Sequence, residues 1–416
     1  MSFFDIISVG GIRRSRKVEL ADLRSGARQA EQAVPGFPDC TAMLLDVEGA
    51  AAFEPEWRDL VGRVLEPNFC YEPGFAIAAA RHLTDARNVR FVMLWRPKSR
   101  SPRQHLIGCF PVTLATDIGA PLLRGWVHPQ ISAGAPLVDA ENARIAVSAF
   151  LAWVAASKGR PVGVLFPRLP VEGRFAVLLR EVLAENGRAP ALFSEHQRAM
   201  LPLVGETDRG LSSKKKKELR RQYRRLSETG ELVWSSATET ADIRAAIERF
   251  VALEATGWKG KAGTAFLQEP GRISFLRAAT RAFAATGQLS VESIELDGKT
   301  VASGLLVGAG RTGYFWKIAY DEAQSAFSPG VQLTLGLAER AKARGTMDVI
   351  DSCAISDHPM IDHVWRERLG VADTLVPLST RQTLRFGFAR AREAARRDLR
   401  QRLKTAVYKL QGRTAS

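Results

Sequence analysis

Cysteine is scarce in this chain of 416 residues, which has only four. They are Cys40, Cys70, Cys109 and Cys353, and no two of them form a Cys-x-x-Cys pair. Structural zinc sites and disulfide frameworks need closely spaced thiols. Because the six histidines are also largely dispersed, the sequence predicts neither a disulfide framework nor a metal site.

Long apolar runs are also missing, although 46% of the residues are hydrophobic. No stretch of about 18 apolar residues occurs, so no segment is predicted to span a membrane. In residues 1–17 the basic residues follow the apolar ones, which is the reverse of a secretory signal. We therefore expect a cytoplasmic protein, and a peripheral position at the inner face of the membrane stays open.

Acidic residues are outnumbered, 44 to 59, which gives the chain a net charge of +15. Such an excess suits an anionic partner, for example nucleic acid, anionic lipid or a phosphorylated cofactor. A GC-rich genome, which favours arginine, produces the same excess. The charged fraction of 25% is ordinary for a globular protein, and the length allows two domains, each with its own core.

The spacing of apolar residues predicts the same order of elements in both halves of the chain. Each half has a β-hairpin, a junction marked by glycine or proline, a helix, a strand and a second helix. In the first half these elements are predicted at 89–95, 106–113, 142–157, 161–166 and 172–185. In the second half strands are predicted at 289–296, 300–307, 313–320 and 346–352, and helices at 331–344 and 361–369. Two tandem copies of one mixed α/β unit, an α+β arrangement around a mixed sheet, explain this repetition.

Five segments follow from this organisation. They are a lead-in (1–40), a first mixed unit (41–205), a basic linker helix (206–228), a second mixed unit (229–380) and a basic C-terminal helix (381–416).

Each of the two basic segments is open to two interpretations. Residues 214–225 have eight Lys or Arg and one acid, which suits either a polyanion-binding stripe or a solvated helix between domains. Residues 381–416 have 11 Lys or Arg and two acids, with apolar residues at every third or fourth position. This amphipathic pattern suits either an anionic membrane surface or docking on the protein's own core.

The segment Ser328-Pro329-Gly330-Val331 follows a predicted three-strand meander and begins a helix. A helix N-terminus favours an anion, and a glycine there lets the anion approach the backbone closely. We therefore assign these four residues to an anion-binding role, although Ser-Pro-Gly also begins many helices that bind nothing.

The strand before this junction contains one lysine, Lys317, among apolar residues. Strict alternation places two sets of side chains on opposite faces: Tyr314, Trp316, Ile318 and Tyr320 on one, and Phe315, Lys317, Ala319 and Asp321 on the other. A lysine in such a strand needs a partner, so Lys317 is expected to contact either a ligand or an acid. Trp316 and Tyr320 are assigned to substrate binding.

The next strand ends at Asp351 and enters a loop that contains His358. Ligands gather at strand ends in open sheets, and histidine titrates near neutral pH, so both residues are candidate general bases. Asp351 equally suits a turn cap, and His358 an exposed turn. Cys353, between them, is predicted to be an inert thiol.

Glu254 is predicted to lie on a helix just before Gly257-Trp258-Lys259-Gly260. Glycines that flank an aromatic and a cation suggest a loop that closes over a ligand, with Trp258 and Lys259 as its contacts. The alternative is that Gly257 simply ends the helix and Trp258 belongs to the core.

Three segments of the second half resemble the FemAB-like GNAT acetyltransferase family, a group found beside bacterial cellulose and exopolysaccharide genes. They are Glu254–Thr264, Phe315–Glu322 and Ser328–Gly330. The resemblance covers residues 210–370, while Tyr71–Pro73 and Trp126–His128 resemble the divergent partner domain of the same proteins. It implies two tandem GNAT-like domains, acyl-CoA as the donor substrate and an amine as the acceptor.

Under this resemblance, residues 328–331 receive the pyrophosphate of acyl-CoA. Asp351, His358 or Glu254 relays the amine proton, Lys317 contacts the oxyanion, and Trp258 covers an acyl chain or a sugar ring. The glycine-rich, Arg/Gln-headed pyrophosphate loop of simple GNAT enzymes is absent from this sequence.

The expected activity is N-acyl transfer to an amine of an envelope polysaccharide or lipid precursor. Three alternatives stay open. They are an aminoacyl-tRNA-dependent FemAB-type transferase, a long-chain-base N-acyltransferase as in bacterial ceramide formation, and a non-catalytic scaffold in exopolysaccharide synthesis.

Overall fold

A computed structural model describes residues 31–97, 104–114, 119–205, 211–380 and 383–410. Within these ranges the chain forms two compact units. Unit A comprises residues 31–80, 85–196 and 370–410, and unit B comprises residues 81–84, 197–205 and 211–369.

The described residues contain fourteen strands and eleven α-helices. The strands are β1 (Gln32–Val34), β2 (Phe37–Leu45), β3 (Val89–Pro97), β4 (Gln104–Leu114), β5 (Leu122–Gly125), β6 (Leu137–Val138), β7 (Gly163–Pro170), β8 (Ala191–Pro202), β9 (Leu232–Ala237), β10 (Leu289–Leu296), β11 (Lys299–Ala309), β12 (Thr312–Tyr320), β13 (Val349–Asp351) and β14 (Glu367–Pro377). The helices are α1 (Val47–Ala51), α2 (Glu54–Val61), α3 (Pro73–His82), α4 (Ala143–Ala156), α5 (Arg174–Ala184), α6 (Ser213–Ser227), α7 (Thr240–Thr256), α8 (Trp258–Lys261), α9 (Pro270–Ala285), α10 (Pro329–Arg344) and α11 (Leu384–Leu410). Short 3-10 helices occur at Phe69–Tyr71, Thr84–Ala86, Phe266–Gln268, Glu322–Phe327 and Ile361–His363.

The sheet of unit A runs in the order β1-β2-β3-β4-β5-β7-β14, and β6 pairs with β4. All of these pairs are antiparallel except β5 with β7, which is parallel. A parallel pair needs a crossover, and α4 lies in the segment between β5 and β7.

The sheet of unit B repeats this plan in the order β8-β13-β12-β11-β10-β9. Here β12 and β13 form the parallel pair, with α10 in the segment between them. Each unit then adds an antiparallel strand beyond its parallel pair: β14 beside β7 in unit A, and β8 beside β13 in unit B. The repetition confirms the predicted pair of mixed α/β units.

Local sequence signals explain the elements that position the site. Asp297 and Gly298 join β10 to β11 with positive φ angles of 49° and 73°, as the two-residue hairpin turn requires. Helix α10 has Pro329 at its first turn and ends at Gly345, whose φ is 66°, the proline–glycine asymmetry of helix ends. Leu337 of α10 is buried together with Phe315 and Ile350 of the sheet.

Most of the predicted elements are confirmed, but the helix predicted at 361–369 is wrong. Only the 3-10 turn Ile361–His363 forms there, and β14 begins at Glu367. The residues Ile361, Val364 and Trp365 have helical spacing and are buried. Strand pairing of residues 371–377 with β7 overrides that local preference.

Two predicted boundaries can be set beside this division. The sequence assigned residues 229–380 to one domain and 206–228 to a linker. In the structure α6 belongs to unit B, and residues 370–380 belong to unit A, because β14 pairs with β7. No helix of the described ranges has the length and apolar character needed to cross a bilayer.

Candidate functional site

Strand β12 is paired along the whole of one edge but along only part of the other. Its register with β13 covers Thr312–Tyr314 and ends where Tyr314 lies opposite Asp351. On its other edge β12 pairs with β11 along its length. Among the described strands, none pairs with the β13-side edge of residues 315–320, so backbone groups there can bind a ligand.

A β-bulge lies in this same stretch. Leu305 pairs with Lys317 but Leu306 pairs with Phe315, so Trp316 is the extra residue on β12. A bulge interrupts alternation and leaves its extra residue outside the regular hydrogen-bond ladder. The alternation predicted for β12 therefore holds as far as Trp316 and is wrong from Lys317 onward.

The bulge places Trp316 and Lys317 on the same face of the sheet. Trp316 packs edge-on against Phe275 of α9 with ring centroids 5.9 Å apart, and the Lys317 Nζ lies 5.5 Å from the centroid of the Phe266 ring. Ile318 and Tyr320 instead pack in a cluster with Leu333 of α10. Tyr320 is thus on the opposite face from Trp316, although the two were predicted to share one.

Glu254 and Lys259 form a buried ion pair beside β12. Glu254, at the end of α7, is 4% exposed, and its Oε1 accepts from Lys259 Nζ at 2.8 Å. Its Oε2 accepts from the Phe266 N–H at 2.9 Å. Lys259 Nζ also donates to the Ile318 carbonyl at 3.2 Å, so this ion pair contacts the backbone of β12 within its unpaired stretch.

His358 joins this group from the loop after β13. Its Nδ1 accepts from the backbone N–H groups of Met360 and Ile361, at 3.3 and 3.4 Å, so in the neutral ring the proton is assigned to Nε2. Burial, together with the nearby charge of Lys259, lowers the pKa of His358 despite the opposing charge of Asp362. His358 is therefore neutral at pH 7, with Nε2–H as a donor.

The N-terminus of α10 completes the region. A Cβ added to Gly330 would lie 3.0 Å from Tyr320 Cδ1 and 3.3 Å from Met360 Sδ, so this turn fits tightly between β12 and the His358 loop. Ser328 precedes it in the left-handed conformation, with φ of 52°. Asp357, next to His358, has φ of 55°. Such non-glycine outliers persist where the surroundings hold them, often at functional sites.

Asp351 has a different environment from Glu254. Its Oδ2 accepts from Arg198 at 2.5 Å, and its Oδ1 accepts from the Cys353 N–H at 2.9 Å. Asp351 and Arg198 are 4% and 3% exposed. The bond from the Cys353 N–H is the turn cap that was one of the two predicted roles of Asp351. Nothing in the sequence indicated the buried partner Arg198, which is 153 residues away in the chain.

The loop aromatic, Trp258, is exposed rather than part of the core. It is 56% exposed and begins α8, where its N–H donates to Glu322 at 2.6 Å. Lys261 pairs with the same carboxylate at 2.7 Å, which ties α8 to the segment after β12. Gly257 does end α7, as one of the two predicted alternatives required.

The structure thus brings together five of the predicted residues around the unpaired stretch of β12: Glu254, Lys259, Tyr320, Gly330 and His358. Lys317 lies on the face towards Phe266, and Asp351 is engaged by Arg198. Sequence reasoning missed Arg198 and the Ile318 carbonyl. Within the described ranges, no group of three or more His, Cys, Asp or Glu side chains is arranged to hold a metal ion.

A cavity of about 850 Å³ in unit B lies between α6 and α10. Four cations line it, Lys216, Arg220, Arg224 and Arg340. Trp234 also lines it, and the Arg340 guanidinium lies 4.0 Å from the Trp234 ring centroid. Cations beside an aromatic ring are suited to a phosphate-bearing ligand.

Comparison with known proteins identifies part of the chain. Residues 213–358 match the acetyltransferase (GNAT) domain family. No curated protein matches the chain. The crystal structure of FemX is similar, with a TM-score of 0.51 and 11% identity over 78% of this chain and 95% of FemX.

Two further structures are more distant. A conserved protein of unknown function from Bacteroides thetaiotaomicron has a TM-score of 0.48 and 13% identity, covering 78% of this chain and 97% of its own. The C-terminal domain of a putative lysylphosphatidylglycerol synthetase from Agrobacterium fabrum has a TM-score of 0.42 and 12% identity, covering 79% and 92%.

The matched residues 213–358 hold α6, the Glu254–Lys259 pair, the bulged strand β12, the start of α10 and His358. The similarity to FemX extends over most of the chain and concerns the fold alone. The chain therefore has a mixed α/β fold with two GNAT-like halves, and its residues 213–358 match a GNAT acetyltransferase domain.

Proposed function

We propose that unit B transfers an acyl group from acyl-CoA to an amine of an envelope polysaccharide or lipid precursor. One observation carries the proposal. The unpaired stretch of β12 has the Glu254–Lys259 pair and His358 beside it, and the N-terminus of α10 follows after the 3-10 helix Glu322–Phe327.

The donor fits this arrangement through its shape and charge. The pantetheine arm of acyl-CoA is extended and contains amide groups, which can add to a free strand edge as a further strand does. Its pyrophosphate suits the first turn of the 16-residue helix α10. Gly330 lets this turn pack closely against β12 and the His358 loop, where a side chain would meet Tyr320 and Met360. Ser328, Pro329 and Val331 form the rest of that turn.

In the proposed reaction the amine nitrogen attacks the thioester carbonyl carbon, and a tetrahedral oxyanion forms. Lys259 Nζ, held against β12 by Glu254, supplies a preplaced positive charge for that oxyanion. The C–S bond then breaks, the new C–N bond remains, and CoA leaves as the thiolate. The amine proton passes to Glu254, directly or through one water, because each of its oxygens keeps a lone pair.

His358 acts in this scheme as a hydrogen-bond donor through Nε2, since its Nδ1 is occupied by backbone N–H groups. Asp351 is assigned to holding the turn after β13, because its cation, Arg198, is as deeply buried as Asp351 itself and the Cys353 N–H donates to its other oxygen. Lys317 is assigned to the wall formed with Phe266 and Trp316, on the face away from Tyr320.

The acceptor side is proposed to include Trp258. Its ring is exposed and stands one residue from Lys259, which is in the site. An exposed aromatic ring at the edge of a site suits the face of a sugar or an acyl chain. Because both acceptor classes present such a surface, the acyl-chain preference of the donor is the observation that separates them.

The test is calorimetric titration of the protein with acetyl-CoA and with a long-chain acyl-CoA. We expect saturable binding that Gly330→Trp abolishes, because an indole at this position fills the space beside Tyr320. Ala343→Trp, on the exposed far end of the same helix, is the matched control and should bind as the wild type does. Absence of binding to either donor would refute the proposal.

A second candidate function is favoured by the cavity between α6 and α10. Its cations and Trp234 suit the aminoacyl-tRNA donor of a FemAB-type transferase, whose phosphates they would neutralise. Filter binding of charged tRNA decides between the donors. Retention that falls with salt and is lost in Arg220→Glu/Arg224→Glu supports the second candidate, and absence of retention removes it.

A further inference from the structure

The C-terminal helix α11 rests on unit A through small and charged side chains. Ala389 is fully buried in a cluster with Leu122 and Leu375. Four residues later, Glu393 is also buried, and it pairs with Arg124 at 3.0 Å and with Arg397 at 2.7 Å. Since these positions are four apart, they define one face of the helix, and this face is the docked one.

The large apolar side chains of α11 lie on a different face. Leu384, Phe388, Leu399 and Leu403 are 94%, 57%, 58% and 51% exposed. Together with the exposed Ala391 and Ala395 they recur at every third or fourth position, so they form one continuous stripe. A helix that serves only to cover its own protein buries such residues, whereas a long exposed apolar stripe marks an interaction surface.

The other basic helix, α6, shows that charge is not the cause of this exposure. It has eight Lys or Arg in residues 214–225, yet its leucines Leu219 and Leu226 are 2% and 0% exposed. Its apolar face is therefore used for packing in unit B. α11, by contrast, has four large apolar side chains turned to solvent.

Cations flank the stripe. Between positions 384 and 403 the helix has seven arginines and two acids, Glu393 and Asp398, and both acids are paired, with Arg397 and Arg402. Arg385, Arg396 and Arg402 are exposed and lie within about a quarter-turn of the stripe, and the Arg392 guanidinium lies 5.7 Å from the centroid of the Phe388 ring. The exposed side of the helix is therefore apolar along its centre and positive at its margin.

We propose that this stripe of α11 lies in the plane of an anionic lipid bilayer and docks the protein there. A helix of this kind buries its apolar face at the level of the headgroups, and cations beside it are attracted to anionic lipid. A second copy of the chain is a poorer occupant, because it would place an equally positive helix against this one. The inference goes beyond the proposed function and does not depend on it.

The test uses the full chain and lipid vesicles, and it needs no acyl-CoA. Cosedimentation is measured with vesicles of phosphatidylcholine alone and with phosphatidylglycerol added. We expect at least about tenfold stronger binding to the anionic vesicles, decreasing with salt. Leu384→Ser/Phe388→Ser/Leu399→Ser/Leu403→Ser should lose this binding, because it removes the stripe and retains every arginine.

A matched control removes exposed apolar side chains elsewhere in unit A. Val127→Ser/Leu192→Ser alters residues that are 40% and 39% exposed and should bind vesicles as the wild type does. Circular dichroism checks that both variants remain folded, as exposed positions predict.

Three results would overturn the proposal. The first is wild-type protein that ignores anionic vesicles, and the second is a stripe variant that binds as well as the wild type. The third is self-association in the absence of lipid that the stripe variant abolishes, seen by sedimentation velocity over a range of concentrations. That last result would assign the stripe to a second copy of the chain.

Discussion

Two of the buried carboxylates of unit B, Asp351 and Glu254, are each paired with a cation, and the two pairs differ in how exposed the cation is. Asp351 and Arg198 are both almost fully buried and bond to each other at 2.5 Å. Glu254 is equally buried, but its partner Lys259 has a side chain that is 23% exposed. Lys259 also reaches the Ile318 carbonyl and acts electrostatically on His358.

The comparison teaches that burial and pairing of a carboxylate do not by themselves indicate chemistry. Asp351 and Arg198 form an ion pair in which both side chains are buried, so neither charge is accessible to a ligand. Lys259 is held by Glu254 but still faces the unpaired part of β12, where a reacting carbonyl can lie. The Asp351–Arg198 pair and the Glu254–Lys259 pair thus differ in how accessible the cation is to a ligand. Four variants test whether this difference separates a structural pair from a catalytic one.

The largest effect is expected for Arg198→Ala. It leaves the buried charge of Asp351 without its cation, so the free energy of unfolding should fall by about 3–5 kcal/mol, measured by urea denaturation. Arg311→Ala is the control, because the Arg311–Asp348 pair is exposed and should contribute less than about 1 kcal/mol. Equal effects of the two substitutions would show that the Asp351 pair is not structural.

Glu254→Gln should lower turnover by about 10³-fold, as expected for loss of a general base. The amide keeps the shape of the side chain, and its oxygen can still accept from Lys259 or the Phe266 N–H. The protein should therefore remain folded, which thermal unfolding checks. Turnover like that of the wild type would remove Glu254 from the mechanism.

Lys259→Met should lower kcat by about 10²-fold with little change in the KM for acyl-CoA, since the charge is used mainly in the transition state. Lys261→Met is the control two residues along α8, where the lysine pairs with Glu322 on the surface. Steady-state kinetics with a fixed amine separates kcat from KM. A change confined to KM would place Lys259 in donor binding instead.

The smallest effect is expected for His358→Gln. Burial and the charge of Lys259 lower the pKa of His358, so the ring is neutral above its ordinary pKa of about 6.5 and becomes protonated only at lower pH. Protonation of Nδ1 removes the acceptor of the Met360 and Ile361 N–H groups that holds the ring in place, so the contribution of His358 is present near neutrality and is lost as the pH falls through the lowered pKa. The wild-type pH–rate profile should contain this acid limb, and the variant should lack it while losing a few-fold in kcat.

Local signals in the sequence were sufficient for most elements of the fold. Two of these signals act over a few residues: the Asp297–Gly298 turn and the Ser-Pro-Gly start of α10. The repeated order of elements can also be read from the spacing of apolar residues along the chain. The bulge at Trp316 gave no such signal, because one extra residue in a strand appears only when the register with β11 is known. That single residue reversed the predicted face of Tyr320 relative to Trp316.

The candidate site was predictable only in part, for a related reason. Glu254 and Lys259 are five residues apart, so the glycine-flanked motif already pointed to both. Arg198 reaches Asp351 across 153 positions, and nothing in the spacing around Asp351 indicates a cation. Tertiary packing decides whether a distant cation pairs with a carboxylate and makes it inaccessible. A single sequence does not reveal this packing.

The placement of β8 and β14 has a consequence for how this chain can be divided. β14 follows unit B in the chain but belongs to the sheet of unit A, and the end of β8 follows unit A but pairs with β13 of unit B. A cut between residues 205 and 211 therefore yields two fragments, each of which retains a strand that completes the other's sheet. Each fragment lacks one strand of its own sheet, so we expect the two halves to fold fully only within one polypeptide.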